Sequence, residues 1–162
     1  QKHFLISGFG VNGQNLSKIF KSLNIPYKII EINPNTVKKF KKEGEEIVFG
    51  DITKRENLLH LGIEKAQMMV IAISDWEATL KSVSIARKLN SDLKIIVRTE
   101  FVAQIEPLYK AGANIVISQE FEASLEIAAY VLKTLGIAGP IVRLKSEQLR
   151  KRHYRFFSGN NF

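Results

Sequence analysis

The sequence predicts an α/β protein built on a doubly wound, parallel six-stranded sheet, and three observations predict it. Short runs of Val, Ile, Leu and Phe alternate with longer stretches of helical periodicity. Most of those runs are continuous rather than alternating, as strands buried on both faces are. The first run stops at "GFGVNG", positions 8–13, where a strand should hand over to a helix. Six βα units fit into roughly 135 residues with short loops, which leaves room for one such domain.

The elements follow in order. Strands are expected at His3–Ser7, Tyr27–Ile32, Glu46–Phe49, Met68–Ile73, Lys94–Arg98 and Ile115–Ile117. Helices are expected at Asn12–Leu23, Asn35–Lys42, Lys54–Leu61, Trp76–Leu89, Val102–Ala111 and Phe121–Leu135. Pro26 separates the first helix from the second strand, and "NPN" at 33–35 turns the chain into the second helix. "SD" at 74–75 offers N-caps to the fourth helix, and Gly112 in "KAGAN" is placed to end the fifth. "LGIAGP" at 135–140 is the clear break, dividing a domain at 1–137 from an extension at 138–162. Within the extension, "SEQLRKRHYRFF" suits a short basic amphipathic helix with Leu149, Tyr154, Phe156 and Phe157 as apolar contacts.

Gly8-Phe9-Gly10-Val11-Asn12-Gly13 fits G-x-G-x-x-G, the mark of a Rossmann-like, nucleotide-binding turn. The first glycine permits a tight turn. The second lets the backbone approach a pyrophosphate, and the third lets the helix pack on the strand. Phosphate then meets free N–H groups at a helix N-terminus. Glu31 closes the second strand, 18 residues beyond Gly13, where a carboxylate receives adenosine ribose hydroxyls and repels a 2′-phosphate. That favours NAD or another adenosine nucleotide over NADP. The plainer readings are glycines that only make a turn and a Glu31 that is solvated. Asp51, in "FGDIT", either borders adenine or caps the next helix. Ile73 and Ser74 border the same crevice, with Asp75 as a cap. Arg98, ending the fifth strand, reaches either a phosphate or a surface ion-pair partner.

Composition bounds the function. The chain has 162 residues and no cysteine, which excludes disulfides and thiolate metal sites and fits a reducing cytoplasm. No apolar run approaches the ~20 residues of a membrane helix, and no signal peptide opens the chain. It begins at Gln1 rather than Met, as a piece of a longer protein would. From Ile141 onward six basic residues face one acid, so this segment holds +5 of the net +8. A solvated helix, an anionic lipid surface and nucleic acid are the three readings of that tail; nucleic acid is the least favoured. His3, His60 and His153 all fall away from strand C-termini, so no acid–base residue faces the crevice. No nucleophile elbow and no metal-ligand spacing is present. A sensor that shifts a conformational equilibrium fits better than an enzyme.

"GFGVNG", "IIEINPNTV", "VFGDITKRENLLHLGIEKAQMMVIAISD", "IIVRTE" and "LYKAGANIVIS" resemble, in order and spacing, the regulator-of-potassium-conductance N-domain, also called the TrkA-N domain. The resemblance runs from about Phe4 to Leu135, and the basic coda is similar to that of Kef-type monovalent cation:proton antiporters. It implies a cytosolic, nucleotide-binding gating domain at the cytoplasmic face of the membrane, paired as a homodimer and attached to a transmembrane cation transport domain. Nucleic acid is not an implied partner. AMP or NAD/NADH is the implied ligand, with ADP and ATP also admitted. By this resemblance Gly8, Phe9, Gly10 and Gly13 hold phosphate, Glu31 takes ribose, Asp51 and Ile52 flank adenine, and Arg98 lies near phosphate; Val11, Asn12, Ile32, Ile73 and Ser74 complete the cofactor-binding set. Glu120 matches a position near the nucleotide and dimer boundary. Val11 stands where the family often has Arg, which removes a charge-assisted contact and favours a monophosphate. An NAD-linked oxidoreductase fragment and a free-standing regulatory subunit are the alternatives.

The last long helix adds an expectation from its own residues. Phe121, Leu125, Ala128, Val131, Leu132 and Leu135 form one stripe, and Ile127, Ala129 and Tyr130 extend it round the cylinder. A helix apolar on more than one side needs more than one partner, here the sheet and a second subunit.

Overall fold

The computed structural model describes residues 3–154. Six parallel strands form one sheet: β1 (Phe4–Ser7), β2 (Tyr27–Glu31), β3 (Ile47–Phe49), β4 (Met68–Ile71), β5 (Lys94–Thr99) and β6 (Ile115–Ser118). Their order is β3-β2-β1-β4-β5-β6. Helices α1 (Val11–Ser22), α2 (Pro34–Lys42), α3 (Arg55–His60), α4 (Trp76–Leu89) and α5 (Ile105–Ala111) connect them. Two more, α6 (Gln119–Thr134) and α7 (Gly139–His153), follow the last strand. Because β1 lies between β2 and β4, the strand order reverses beside it, which is the switch point where such sheets open a crevice.

The apolar runs are continuous because neighbouring residues serve opposite faces. Ile6 and Ile29 join Phe9, Val37 and Ile47 in one core cluster, packed with Leu16, Phe20 and Phe40 of α1 and α2. Leu5 and Ile30 belong to the larger cluster with Met69, Ile71, Ile95, Val97 and Val116, under Leu58, Val83, Ala86 and Leu108 of α3, α4 and α5. The β4–β6 half is less evenly covered: Val70, Ile96, Ile115 and Ile117 are only half-buried.

Caps set the helix starts. Asn33 Oδ1 accepts from the N–H groups of Asn35 (2.9 Å) and Thr36 (3.2 Å), with Pro34 at the first helical position. Asp75 caps α4 through the N–H of Ala78 at 2.7 Å. Gly112 ends α5 at φ 117°. Arg87 locks that end: Nε and Nη2 donate to Gly112 O at 3.1 and 3.0 Å, and Nη2 also reaches Asn114 Oδ1 at 2.7 Å.

Four expectations are corrected. The fourth strand stops at Ile71, not Ile73: Ala72 N–H still donates to Ser7 O at 2.9 Å, and the chain then turns to reach the cap at Asp75. The fifth helix starts at Ile105, after a 3-10 turn over Val102–Gln104. Pro107 explains the break: it has no N–H for the carbonyl of Ala103, so an α-helix from Val102 would lack a bond. In α6 only Phe121 and Leu125 are buried, whereas Ala128, Val131 and Leu135 are exposed, so the expected stripe covers the sheet over the first turns alone. The tail helix is also longer and earlier than "SEQLRKRHYRFF", because Pro140 lies in its first turn and favours a start there.

The end of α7 returns to α6. Arg150 Nη2 pairs with Glu122 Oε2 at 2.7 Å. The Tyr154 ring stands edge-on to Phe121, centroids 5.2 Å apart, and its hydroxyl accepts from the N–H of Ser118 at 3.3 Å. Burial pushes its phenol pKa up. Leu149, expected as a contact, is 40% exposed. Phe156 and Phe157 lie outside the described residues.

Candidate functional site

Parallel strands bring the loops after β1 to β5 to one edge of the sheet, and the glycine turn is at its middle. Each glycine is there for a different reason. Gly8 has φ +88°, and a Cβ on it would lie 2.8 Å from Ala72 O. Gly13 packs α1 on the turn so closely that a Cβ would lie 2.2 Å from Gly8 O. At Gly10 a Cβ would meet nothing within 4 Å. Gly10 is the N-cap of α1 and has no side chain to bond the first-turn N–H groups; no acid lies in that turn either.

Glu31 reaches this turn from the end of β2. Its Oε2 accepts from the N–H of Phe9 at 2.7 Å, and its Oε1 from the N–H of Asn33 at 2.8 Å. Gln14 Nε2 braces the turn by donating to Phe9 O at 2.9 Å. The Phe9 ring is buried, edge-on to Phe40 at 4.7 Å, so only its main chain faces the crevice. Val11, Asn12 and Ile32 are exposed at the rim.

Beyond β3, Gly50 N–H donates to Glu31 O at 3.0 Å, which places Asp51 beside the β2 end. Asp51 Oδ1 accepts from both the N–H (2.8 Å) and the hydroxyl (2.7 Å) of Thr53. These bonds, Thr53 hydroxyl first, hold its carboxyl below the usual range. Ile52 is buried in the core. The N-cap of α3 is Lys54, so Asp51 closes an Asx turn just ahead of the helix.

On the other flank, Ile73, Ser74, Trp76, Arg98 and Phe101 line a cleft of about 160 Å³ at the ends of β4 and β5. Arg98 Nη1 donates to Ile73 O at 3.2 Å and Nη2 to Gln119 Oε1 at 2.5 Å, while its buried Nε has no hydrogen-bond partner among the described residues. The surface ion pair considered for Arg98 is absent among the described residues. Glu120 Oε2 accepts from the N–H of Val102 at 2.8 Å, and its own N–H donates to Glu100 O at 3.0 Å.

The candidate residues thus form a band along one sheet edge, from Asp51 through Glu31 and the glycine turn to Ile73, Arg98 and Glu120. The turn bonds Glu31 directly, and Ile73 lies on the side of Gly8 where a Cβ would point. Asp51 and Glu120 stand at the two ends and bond to their own neighbours. Sequence reasoning missed Gln14, Thr53 and Gln119. Thr53 carried a signal, an Asp two residues before it; Gln119 bonds across 21 positions and carried none. A second cleft, about 390 Å³, lies between α6 and α7, lined by Glu126, Lys133, Arg143, Glu147 and Arg150. Among the described residues no group of three or more His, Asp or Glu is placed to hold a metal ion.

A 3-2-1-4-5-6 parallel sheet with this turn at its switch point defines the Rossmann class of nucleotide-binding folds. Within that class the chain belongs to the TrkA-N domain family, which matches residues 4–119. It is 30% identical over 155 residues to a putative K(+) efflux antiporter KefB of Alkalimonas amylolytica, covering 96% of this chain and 23% of the relative. This chain therefore spans about a quarter of that relative's length. The Kef CTD of Shewanella denitrificans, in an AMP-bound form, shares the fold with a TM-score of 0.80 at 20% identity, covering 93% of this chain and 92% of that one. The GsuK channel bound to NAD aligns with a TM-score of 0.68 at 24% identity, over 72% of this chain and 21% of the channel.

Proposed function

We propose that this chain is the cytosolic nucleotide-binding regulatory domain of a Kef-type potassium transport protein, with residues 1–137 as the binding unit and 138–162 as an extension. The observation that carries the reading is the bare space above Gly10, bounded by uncapped α1 N–H groups on one side and the Glu31 carboxylate on the other. A phosphate seated over Gly10 would accept from the first-turn amides, and the helix dipole adds to their pull. Each Glu31 oxygen already accepts one N–H and has a further lone pair for a ribose hydroxyl. Asp51 and the main chain of Ile52 would border the adenine; the Ile52 side chain is buried in the core. AMP and NAD/NADH are the favoured ligands, in keeping with the AMP held by the Shewanella Kef CTD and the NAD held by GsuK; ADP and ATP fit the same contacts.

Binding would act as a signal rather than a catalytic step. His3 bonds Leu61 O, His60 lines a groove at the β2–β3 edge, and His153 stacks on Phe121, so none offers a proton to the crevice. Ile127, Tyr130, Val131 and Leu135 leave an exposed apolar stripe on α6, which suits a two-fold partner. A nucleotide that favours one arrangement of the pair would bias the attached transmembrane domain. No helix among the described residues is long and apolar enough to cross a membrane, so that domain would lie elsewhere in the same chain or in another.

Calorimetry with AMP, ADP, ATP, NAD and NADH tests the reading. At least one is expected to bind below millimolar concentration, and Gly10→Val is expected to abolish that binding while leaving the melting temperature in place. No binding by the intact chain, or unchanged affinity in Gly10→Val, would refute it.

A further inference from the structure

Helix α7 has two unlike sides. Val142 is buried, Ser146 and Arg150 are half-buried, and Arg150 is paired with Glu122. The helix carries a single acid, Glu147, which lines the cleft toward α6. The other side shows Ile141, Leu144, Lys145, Gln148, Leu149 and Arg152, at the three- and four-residue spacing of one helical face. All six are exposed, and Lys151 stands exposed at the edge of the same face. Lys145, Lys151 and Arg152 make no ion pair among the described residues. The face is thus basic and apolar at once, and Glu147 borders it only at the Lys151 edge. The sequence continues past the helix as Arg155-Phe156-Phe157.

We propose that the outer face of α7 binds an anionic lipid surface. Cations interleaved with large apolar side chains match an interface that offers negative headgroups and, just below them, hydrocarbon. Nucleic acid would use the charges and leave Ile141, Leu144 and Leu149 exposed to water, so it fits the face less well. A second copy of this chain would bring the same three cations against themselves under a two-fold axis, whereas the α6 stripe carries no such repulsion. The proposal does not depend on nucleotide binding, because the face lies on the extension and not on the glycine-turn edge.

The test is co-sedimentation of the 162-residue chain with phosphatidylcholine vesicles and with vesicles carrying about 25% phosphatidylglycerol. The chain is expected to pellet with the anionic vesicles alone, and to be released when salt rises from about 0.05 M to about 0.5 M. Each cation near such a surface is worth about fivefold in affinity. K145E/R152E should therefore weaken binding at least about twentyfold, with an unchanged melting temperature and unchanged nucleotide affinity. Equal or no binding to the two vesicle types overturns the proposal with the wild-type chain alone. So does unaltered vesicle binding by K145E/R152E, tighter binding to duplex DNA than to anionic vesicles, or a dimer that K145E/R152E dissociates.

Discussion

Replacing the three loop glycines by alanine, one at a time and without ligand, should separate their roles. Gly13→Ala puts a methyl group 2.2 Å from the carbonyl oxygen of Gly8, about 0.8 Å inside the 3.0 Å that Cβ contacts keep. The obstacle is main chain at the start of a buried helix, so α1 must lift from the turn. Overpacking of this kind costs about 3 kcal/mol. For a domain of this length that is a fall of roughly 6–12 °C in melting temperature. Gly8→Ala should cost a similar amount: about 1–2 kcal/mol for its left-handed backbone, and more for the 2.8 Å approach to Ala72 O. Gly10→Ala should stay within about 1 kcal/mol of the parent, since its φ of −75° is ordinary and its Cβ direction is empty. Differential scanning calorimetry reads all three. A Gly10→Ala that melts as low as Gly13→Ala would refute the claim that the space above Gly10 is free, and the phosphate site with it.

Glu31→Ala should lower stability even without nucleotide, by about 1–3 kcal/mol, since the half-buried N–H of Phe9 loses a charged acceptor; the N–H of Asn33 is exposed and finds water. The same change should weaken AMP or NAD by a further 1–3 kcal/mol or so in calorimetry, and no loss would remove the ribose assignment. Asp51→Asn should destabilise slightly at neutral pH, because the folded-state pKa of Asp51 is depressed. That contribution is present above the unfolded value near 3.9 and is lost as pH falls through the lower folded value. The wild-type and Asp51→Asn unfolding curves should therefore converge in strong acid, and a gap that widens there would contradict the bonding described for Thr53. Val131→Asp, on the exposed stripe of α6, should convert a dimer to monomers in analytical ultracentrifugation with little change in melting of the monomer; an unaltered dimer would move the interface off α6.

The sheet and the glycine turn were legible because their signals are local. Strands buried on both faces leave unbroken apolar runs, and Gly8, Gly13, Asn33, Asp75 and Gly112 each answer to a backbone demand within a few residues. The 3-10 turn at Val102–Gln104 was legible too, through Pro107, but was absorbed into a helix. Periodicity overstated α6: it marks which side of a helix is apolar but not how far that side stays covered, and full burial ends after Leu125, with Ala129 and Leu132 only half-buried. The start of α7 was hidden because Gly139 and Pro140 read as a stop, although Pro suits a first turn as well as a break. What no pattern could show are bonds across the chain. Arg98 to Gln119, Arg150 to Glu122 and Tyr154 to Ser118 join residues 21, 28 and 36 positions apart. They exist only once β5, β6, α6 and α7 are in place.

A crystal structure of the chain with AMP tests the central claim most directly. The account predicts the phosphate over Gly10, within hydrogen-bond distance of the N–H groups at the start of α1, and the ribose hydroxyls on the Glu31 carboxylate. AMP seated instead in the charged cleft between α6 and α7, with the glycine turn empty, would contradict it.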